Sequence, residues 1–418
     1  MLNSEIVYPM YSKYPAVYRF TGRFVQLPDH VNAYIIELEN CVIVVDSTLA
    51  WSNAKELRKQ AESFGKPIKA VLVTHGHPDH YTGLVEFADI PRFGSIGCLK
   101  FAQEEDIRKS PTAISLFGDD YPKERLFPNE IVNDGDSLIF DGVTFTFRDM
   151  GPGESDSDGI WQFHKDGVTH AFVGDLIALN CHNFYYDGHV FEWQKILKGL
   201  KHEFSDQSVR LYIGHGESPT GMEGIDWQLG YNNAFINAVS ALDDRSVPVS
   251  QSSQDKVLAA MKTYLPSDAT LFLLQYGLGD SIANIIEKRS FIPGKGKDHY
   301  REQLMLMSSG KIDELIEKHY HKDAVMVTFD GIRRGHKELK KYFADTLEVM
   351  KKITAMSTEY FAETEDSVIF RATITSEGRG TVDAVNGLYM KDGKIHRHLA
   401  LTLLPDVDYA NMGTRWKE

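Results

Sequence analysis

Cysteine is scarce in this 418-residue chain: Cys41, Cys98 and Cys181 are odd in number and widely spaced. That supports neither a disulfide framework nor a thiolate zinc knot, and the three read as buried thiols. Long apolar runs are missing too. No segment reaches the roughly 18 uninterrupted apolar residues a membrane-spanning helix needs, so no membrane partner is expected. Met1 to Phe20 mixes Glu5, Tyr8, Pro9, Lys13 and Arg19 and builds no apolar signal region, which makes a cytoplasmic location the expectation. Positive charge is in deficit, with 45 Lys and Arg against 59 Asp and Glu and a net charge of -14. Such a surface repels phosphate and argues against a nucleic-acid partner. The one basic clump, Arg333 and Arg334 with Lys337, Lys340 and Lys341, reads as the solvated start of a helix.

What is present is an ordinary globular composition, 42% apolar and 25% charged, in a chain long enough for two or three domains. The first half alternates β runs (Val17 to Val25, Ala33 to Glu37, Val42 to Val45) with a helix at about Ser52 to Phe64 and a further apolar run, Ala70 to Val73. Asp134-Gly135, Asp141-Gly142 and Asp166-Gly167 carry hairpin signals. Strands, a helix and strands again predict a layered α/β architecture. From Trp227 to about Lys288 the apolar period turns helical, and Phe-Ile-Pro-Gly-Lys-Gly between Ser290 and Lys297 breaks it. Beyond the break, His299 to Tyr320 and His336 to Met350 are amphipathic, while Ser367 to Thr375, Thr381 to Met390 and Lys394 to Leu404 read as extended, with Asp392-Gly393 turning the last pair.

The densest chemistry lies in Val71-Leu72-Val73-Thr74-His75-Gly76-His77-Pro78-Asp79-His80, three imidazoles and a carboxylate just after a buried strand. Divalent first-row metals take imidazole nitrogen and carboxylate oxygen, and a strand end is a rigid edge from which such side chains converge. This His-x-His-x-Asp-His arrangement resembles the signature of the metallo-β-lactamase superfamily. Later motifs follow that family's order: Asp46 at the end of Cys41 to Val45, Asp175 in Ala171-Phe172-Val173-Gly174-Asp175, and His215 in Tyr212-Ile213-Gly214-His215-Gly216. The likeness spans roughly residues 15 to 225. One motif departs: where the family has Gly-His-Thr, this chain has Gly151-Pro152-Gly153-Glu154-Ser155-Asp156. A Glu there is similar to the alkylsulfatase branch, with Asp156 and Asp158 as nearby competitors. The later part, with Ile312, Leu315, Ile316 and Tyr320, the turn Phe329 to Gly331 and Gly335-His336, resembles the cone-shaped α+β domain of SnoaL-like and nuclear transport factor two-like proteins.

The resemblances imply a metallo-β-lactamase αββα sandwich over residues 1–225 and a smaller SnoaL-like α+β domain over 298–418; the helical period between them reads as an extension packed on the first domain over 226–289, and the Pro/Gly break as a linker at 290–297. They imply two divalent ions, zinc first with iron or manganese as alternatives: His75, His77 and Glu154 on one, Asp79, His80 and His215 on the other, Asp175 bridging, and Asp46 behind the ligands. Water shared by two such ions is acidified toward neutrality, so hydroxide would attack an ester-like bond of a small-molecule substrate (ester, lactone, thioester or sulfate ester), with Asp79 orienting it and later protonating the leaving group. His182, Tyr185, Tyr186 and His189 lie where the superfamily drapes substrate loops and are candidate pocket residues. His164 and His170 read as structural. His396, His398 and Asp383 alternate along the late strands and are open to either cavity or solvent. A di-iron redox protein on the same ligands, or a non-catalytic binding protein, are the competing functions. A homodimer through the last domain is the expected assembly.

Overall fold

The computed structural model describes residues 4–6, 14–24, 30–244, 246–288, 296–364 and 366–403. Expected strand ends at Val25 and Leu404, and linker residues 290–295, lie outside these. The chain divides into two compact units, Met1–Ile282 and Ala283–Glu418, and the boundary falls inside the helix Leu278–Lys288. No helix among the described residues is long and apolar enough to cross a membrane.

The first unit is two sheets face to face. One has seven strands in chain order, from Ser4–Ile6 through Ala16–Arg23, His30–Glu37, Val42–Val45, Ile68–Leu72 and Arg92–Ser95 to Glu130–Val132. Its early pairs are antiparallel and its later ones parallel. The other has five strands in the order Ser208–His215, Val168–Ala178, Asp158–Lys165, Val143–Gly151 and Ser137–Phe140. Alternation sorts the side chains: Tyr34, Ile36, Ile43, Val45 and Leu72 meet Phe145, Phe147, Trp161, Phe163 and Phe172 between the sheets. Ile35, Val42, Val44 and Val71 face outward and are covered by Leu57 and Ala61 of the helix Trp51–Glu62 and by Cys98 and Ala102 of the helix Ile96–Phe117. The other sheet carries the helix Val190–Glu203, whose Trp193 Nε1 donates to the Leu176 carbonyl. All three cysteines are buried, and none forms a disulfide.

Asp141-Gly142 and Asp166-Gly167 close true hairpins, each with both residues at positive φ, as a two-residue type I′ turn requires. Asp134-Gly135 does not. Glu130–Val132 belongs to the first sheet and Ser137–Phe140 to the second, so this turn carries the chain between layers. Its local chemistry is that of a tight turn, Asp136 accepting from the Asn133 backbone, but a turn does not choose which sheet its next strand joins.

In the second unit a six-stranded sheet runs in the order Gly331–Arg334, Tyr320–Thr328, Lys394–Leu403, Gly380–Lys391, Ser367–Ser376, Ile353–Glu363. One face packs on helices within a core containing Leu315, Ile316, Tyr320, Leu339, Phe343 and Phe370. The amphipathic stretch His299 to Tyr320 holds two helices, Gly296–Ser308 and Ile312–His319, because Gly310 takes φ 72° and turns the chain. A half-open cavity of about 750 Å³ lies inside this unit, lined by Met326, Phe343 and His398 among others. His398 is buried, with Nδ1 2.8 Å from Tyr320 Oη and Nε2 2.8 Å from Asn386 Oδ1. Asp383 pairs with Arg371 instead, and His396 lies half-buried against His321.

Candidate metal centre

The strand Ile68–Leu72 ends three residues before His75, and the sheets hold the connecting backbone rigidly: Trp161 Nε1 donates to the Val73 carbonyl and Gly159 N to that of Thr74. Gly76 is needed for close approach, because a Cβ there would stand 2.7 Å from the Ala102 nitrogen of the covering helix. Pro78 then starts the short helix Pro78–Tyr81, which turns Asp79 and His80 back toward the strand end. On the second sheet Asp175 and His215 come from neighbouring parallel strands. A Cβ at Gly214 would lie 1.8 Å from Asp175 Oδ1, so only glycine admits that carboxylate.

Two overlapping groups result, His75, His77, Glu154 and Asp175, and Asp79, His80, Asp175 and His215, each with ligand atoms within 4.8 Å of one another. Asp175 belongs to both: Oδ1 is 3.3 Å from His80 Nε2, and Oδ2 is 3.1 Å from His215 Nε2 and 3.9 Å from His75 Nε2. Glu154 Oε2 lies 3.0 Å from His77 Nδ1 and 3.6 Å from His75 Nε2. Its competitors are placed elsewhere. Asp158 accepts from the backbone and hydroxyl of Ser155, and Asp156 pairs with His189 at the surface.

The outward nitrogens fix the tautomers. Thr74 donates its one hydroxyl proton to Asp46 Oδ2, so it accepts from His75 Nδ1, 3.0 Å away. His80 Nδ1 donates to Asp46 Oδ2, His215 Nδ1 to the His30 carbonyl and His77 Nε2 to Asp187 Oδ2. Each imidazole therefore offers a lone pair inward, on Nε2 for three and Nδ1 for His77. His75 Nε2, His80 Nε2, Glu154 Oε2 and Asp175 Oδ1 are buried with no hydrogen-bond partner among the described residues. Buried polar atoms are rarely left so, and a cation in each of the two groups would satisfy them.

Charge agrees with this. Burial pushes the Glu154 carboxyl up to about 7, against the pull of His77. Against the same cost of burial, His215 and His80 hold Asp175, and His80 and His215 hold Asp79, well below the usual carboxylate range. Burial disfavours cationic His77 and His80, yet the facing carboxylates raise both. The carboxylates thus draw protons onto His77 and His80, while burial and the neighbouring His80 keep His75 well below the usual imidazole range, a strain that divalent cations in place of those protons would relieve.

The four pocket candidates separate. His182 is buried between Tyr231 Oη and the Ser267 carbonyl, and Tyr185 stacks on Phe235 at 4.0 Å with its hydroxyl on Asn232; both are packing residues, because the helices over 222–264 cover that segment. His189 pairs with Asp156. Tyr186 stands in an aromatic group with Phe184 and Tyr276. His170 stacks on Phe163 and bonds Tyr212, and His164 bonds Thr169. Sequence reasoning passed over Asp187 and Phe184, which touch His77 from an irregular segment whose composition carries no periodic signal.

Among solved structures the chain is similar to a metallo beta lactamase from Hirschia baltica (19% identity, 55% of this chain and 97% of that one, TM-score 0.43). It is also similar to a beta-lactamase domain protein from Burkholderia ambifaria (16%, 66% and 87%, TM-score 0.48) and a metallo-beta-lactamase family protein from Thermus thermophilus (18%, 66% and 93%, TM-score 0.47). No curated protein matches the chain. The family described as the metallo-beta-lactamase superfamily matches residues 27–221. The N-terminal region of this chain is therefore a metallo-beta-lactamase superfamily domain, and it carries residue clusters that could hold metal ions.

Proposed function

We propose that the first unit is a binuclear metallohydrolase that cleaves an ester-like bond (ester, lactone, thioester or sulfate ester) of a small molecule. The observation that carries it is the pair of buried donor groups sharing Asp175, with unpartnered atoms turned inward. His75, His77 and Glu154 would hold one ion and Asp79, His80 and His215 the other, Asp175 serving both. Two dications so held supply a nucleophile from water at neutral pH and polarise the scissile group. The chain's residues do the rest. Asp46, through Thr74 and His80, locks two imidazoles in one tautomer. Asp79, 20% exposed where the other donors are nearly fully buried, is the carboxylate a substrate and its proton can reach.

Each group has two imidazoles and two carboxylates, a set that suits zinc and also manganese or iron. Iron at both positions is the basis of the redox alternative. Elemental analysis and an absorption spectrum of protein purified without added metal, followed by a panel of ester, lactone, thioester and alkylsulfate substrates, test the proposal. Two ions per chain and turnover of one panel class are expected. A ratio near one that zinc or manganese does not raise, or iron with no hydrolysis of any class, overturns it.

A further inference from the structure

We propose that Asp187 is a positioning residue for the first metal ion: it holds His77 in the one ring orientation that offers Nδ1 inward, and Arg108 holds Asp187 in turn. This rests on the binuclear centre proposed above. Asp187 lies in the irregular stretch between the strand Val168–Ala178 and the helix Val190–Glu203, yet its side chain is only 2% exposed. A buried carboxylate is costly unless paired. Both oxygens are used, Oδ2 at 2.9 Å from His77 Nε2 and Oδ1 at 3.2 Å from Arg108 Nη2. Arg108 is also paired with the fully buried Glu105 of its own helix, Ile96–Phe117, so the anchor of Asp187 is a rigid element.

The ring itself needs this bond. Phe101 and Phe184 meet the His77 ring edge to face at 5.3 and 5.2 Å. Those contacts limit its tilt but hardly distinguish it from the ring flipped by half a turn, in which carbon replaces Nδ1 at the inner edge. A hydrogen bond to the outer nitrogen tells the two apart before any ion is bound at Nδ1. The other three imidazoles take theirs from Thr74, Asp46 and the His30 carbonyl, groups in or beside the first sheet. His77 depends on the stretch that also carries Phe184 and Tyr186, so the first ion and that aromatic wall are built together.

The test is zinc affinity by competition with a chromophoric chelator, and the cobalt(II) spectrum, for wild type, Asp187→Ala and Asp187→Asn, with near-UV circular dichroism to establish packing. Losing such an outer partner typically weakens metal binding about 10- to 100-fold. Asp187→Ala should lose that much at one ion, the same ion that Glu154→Gln weakens, and leave the other unchanged. Asp187→Asn keeps an acceptor for Nε2 and should fall between. Both variants binding two ions as wild type does, or both ions weakening alike, overturns the proposal for Asp187. A wild-type chain taking up fewer than two ions overturns the binuclear centre itself, and the role of Asp187 with it, before any variant is made.

Discussion

At the scale of single residues, the acidic groups of the centre do different work because their surroundings differ. Asp79 alone is reachable from solvent, with Oδ2 3.2 Å from His215 Nε2. Asp79→Ala is expected to lower kcat/KM on the responsive substrate on the order of 100-fold or more while the fold survives; a wild-type rate counts against its assigned part. Glu154 is buried, and its carboxyl, pushed up to about 7 by burial, holds below that pH a proton that an incoming ion must displace. Metal uptake by the first group should therefore tighten as pH rises through about 7, releasing a proton. Glu154→Gln should abolish most of that pH dependence and weaken the first ion, whereas Glu154→His, by restoring a neutral nitrogen donor, should shift preference from manganese toward zinc. Unchanged metal content, pH profile and turnover in both variants would remove Glu154 from the site. The seven residues that the structure gathers into the two clusters were legible as residue types at motif spacing. Asp187 was not, because a lone acid in an aperiodic stretch looks like any loop carboxylate until the fold sets it against His77.

At the scale of elements, local chemistry decided turns and boundaries well. The helix expected over Ser52 to Phe64 spans Trp51–Glu62, and Asp392-Gly393 joins the antiparallel strands Gly380–Lys391 and Lys394–Leu403. It misjudged Asp134-Gly135, because a turn's local chemistry does not decide which sheet its next strand joins. The strand Lys394–Leu403 also carries a pH consequence. Burial lowers His398 to about 4 from an ordinary 6.5. Between those values the unfolded chain binds a proton there and the folded chain does not, so stability falls as pH drops through the window and levels below about 4. The full effect is about 3 kcal/mol. Amide exchange of Lys394–Leu403, corrected for intrinsic rates, should show less protection at pH 5 than at pH 7, and His398→Gln should reduce the difference, His299 and His319, which burial also lowers to about 4, supplying the rest; equal pH sensitivity in wild type and variant would show that His398 is not a source of it.

At the scale of the whole molecule, the outer face of the second unit's sheet is unusually apolar. Ile369, Tyr389, Leu399 and Leu401 are all more than a third exposed, and Ile369 and Leu399 flank Gly387 across three paired strands. Such a face is the basis for expecting a homodimer. The full chain should sediment at twice its own mass, and Leu399→Glu, which charges the middle of the face, should halve it; a monomeric wild type, or a variant that sediments as wild type does, would dismiss that assembly.

The sequence by itself determined which atoms are available: a His-x-His-x-Asp-His run at a strand end, an Asp and a His each ending a later apolar run, and a Glu where a His was expected. Spacing and side-chain chemistry are local, so they survive without coordinates. Only the tertiary structure decided which nitrogen of each imidazole faces inward, that Asp156 and Asp158 stand aside for Glu154, that His182 and Tyr185 serve the packing of helices, and that Asp187 completes the surroundings of His77. Ser155 holds Asp158 and Thr74 orients His75 from nearby in the chain, but His80, His77 and His215 find their partners 34, 110 and 185 residues away, and such partners meet only in the folded chain.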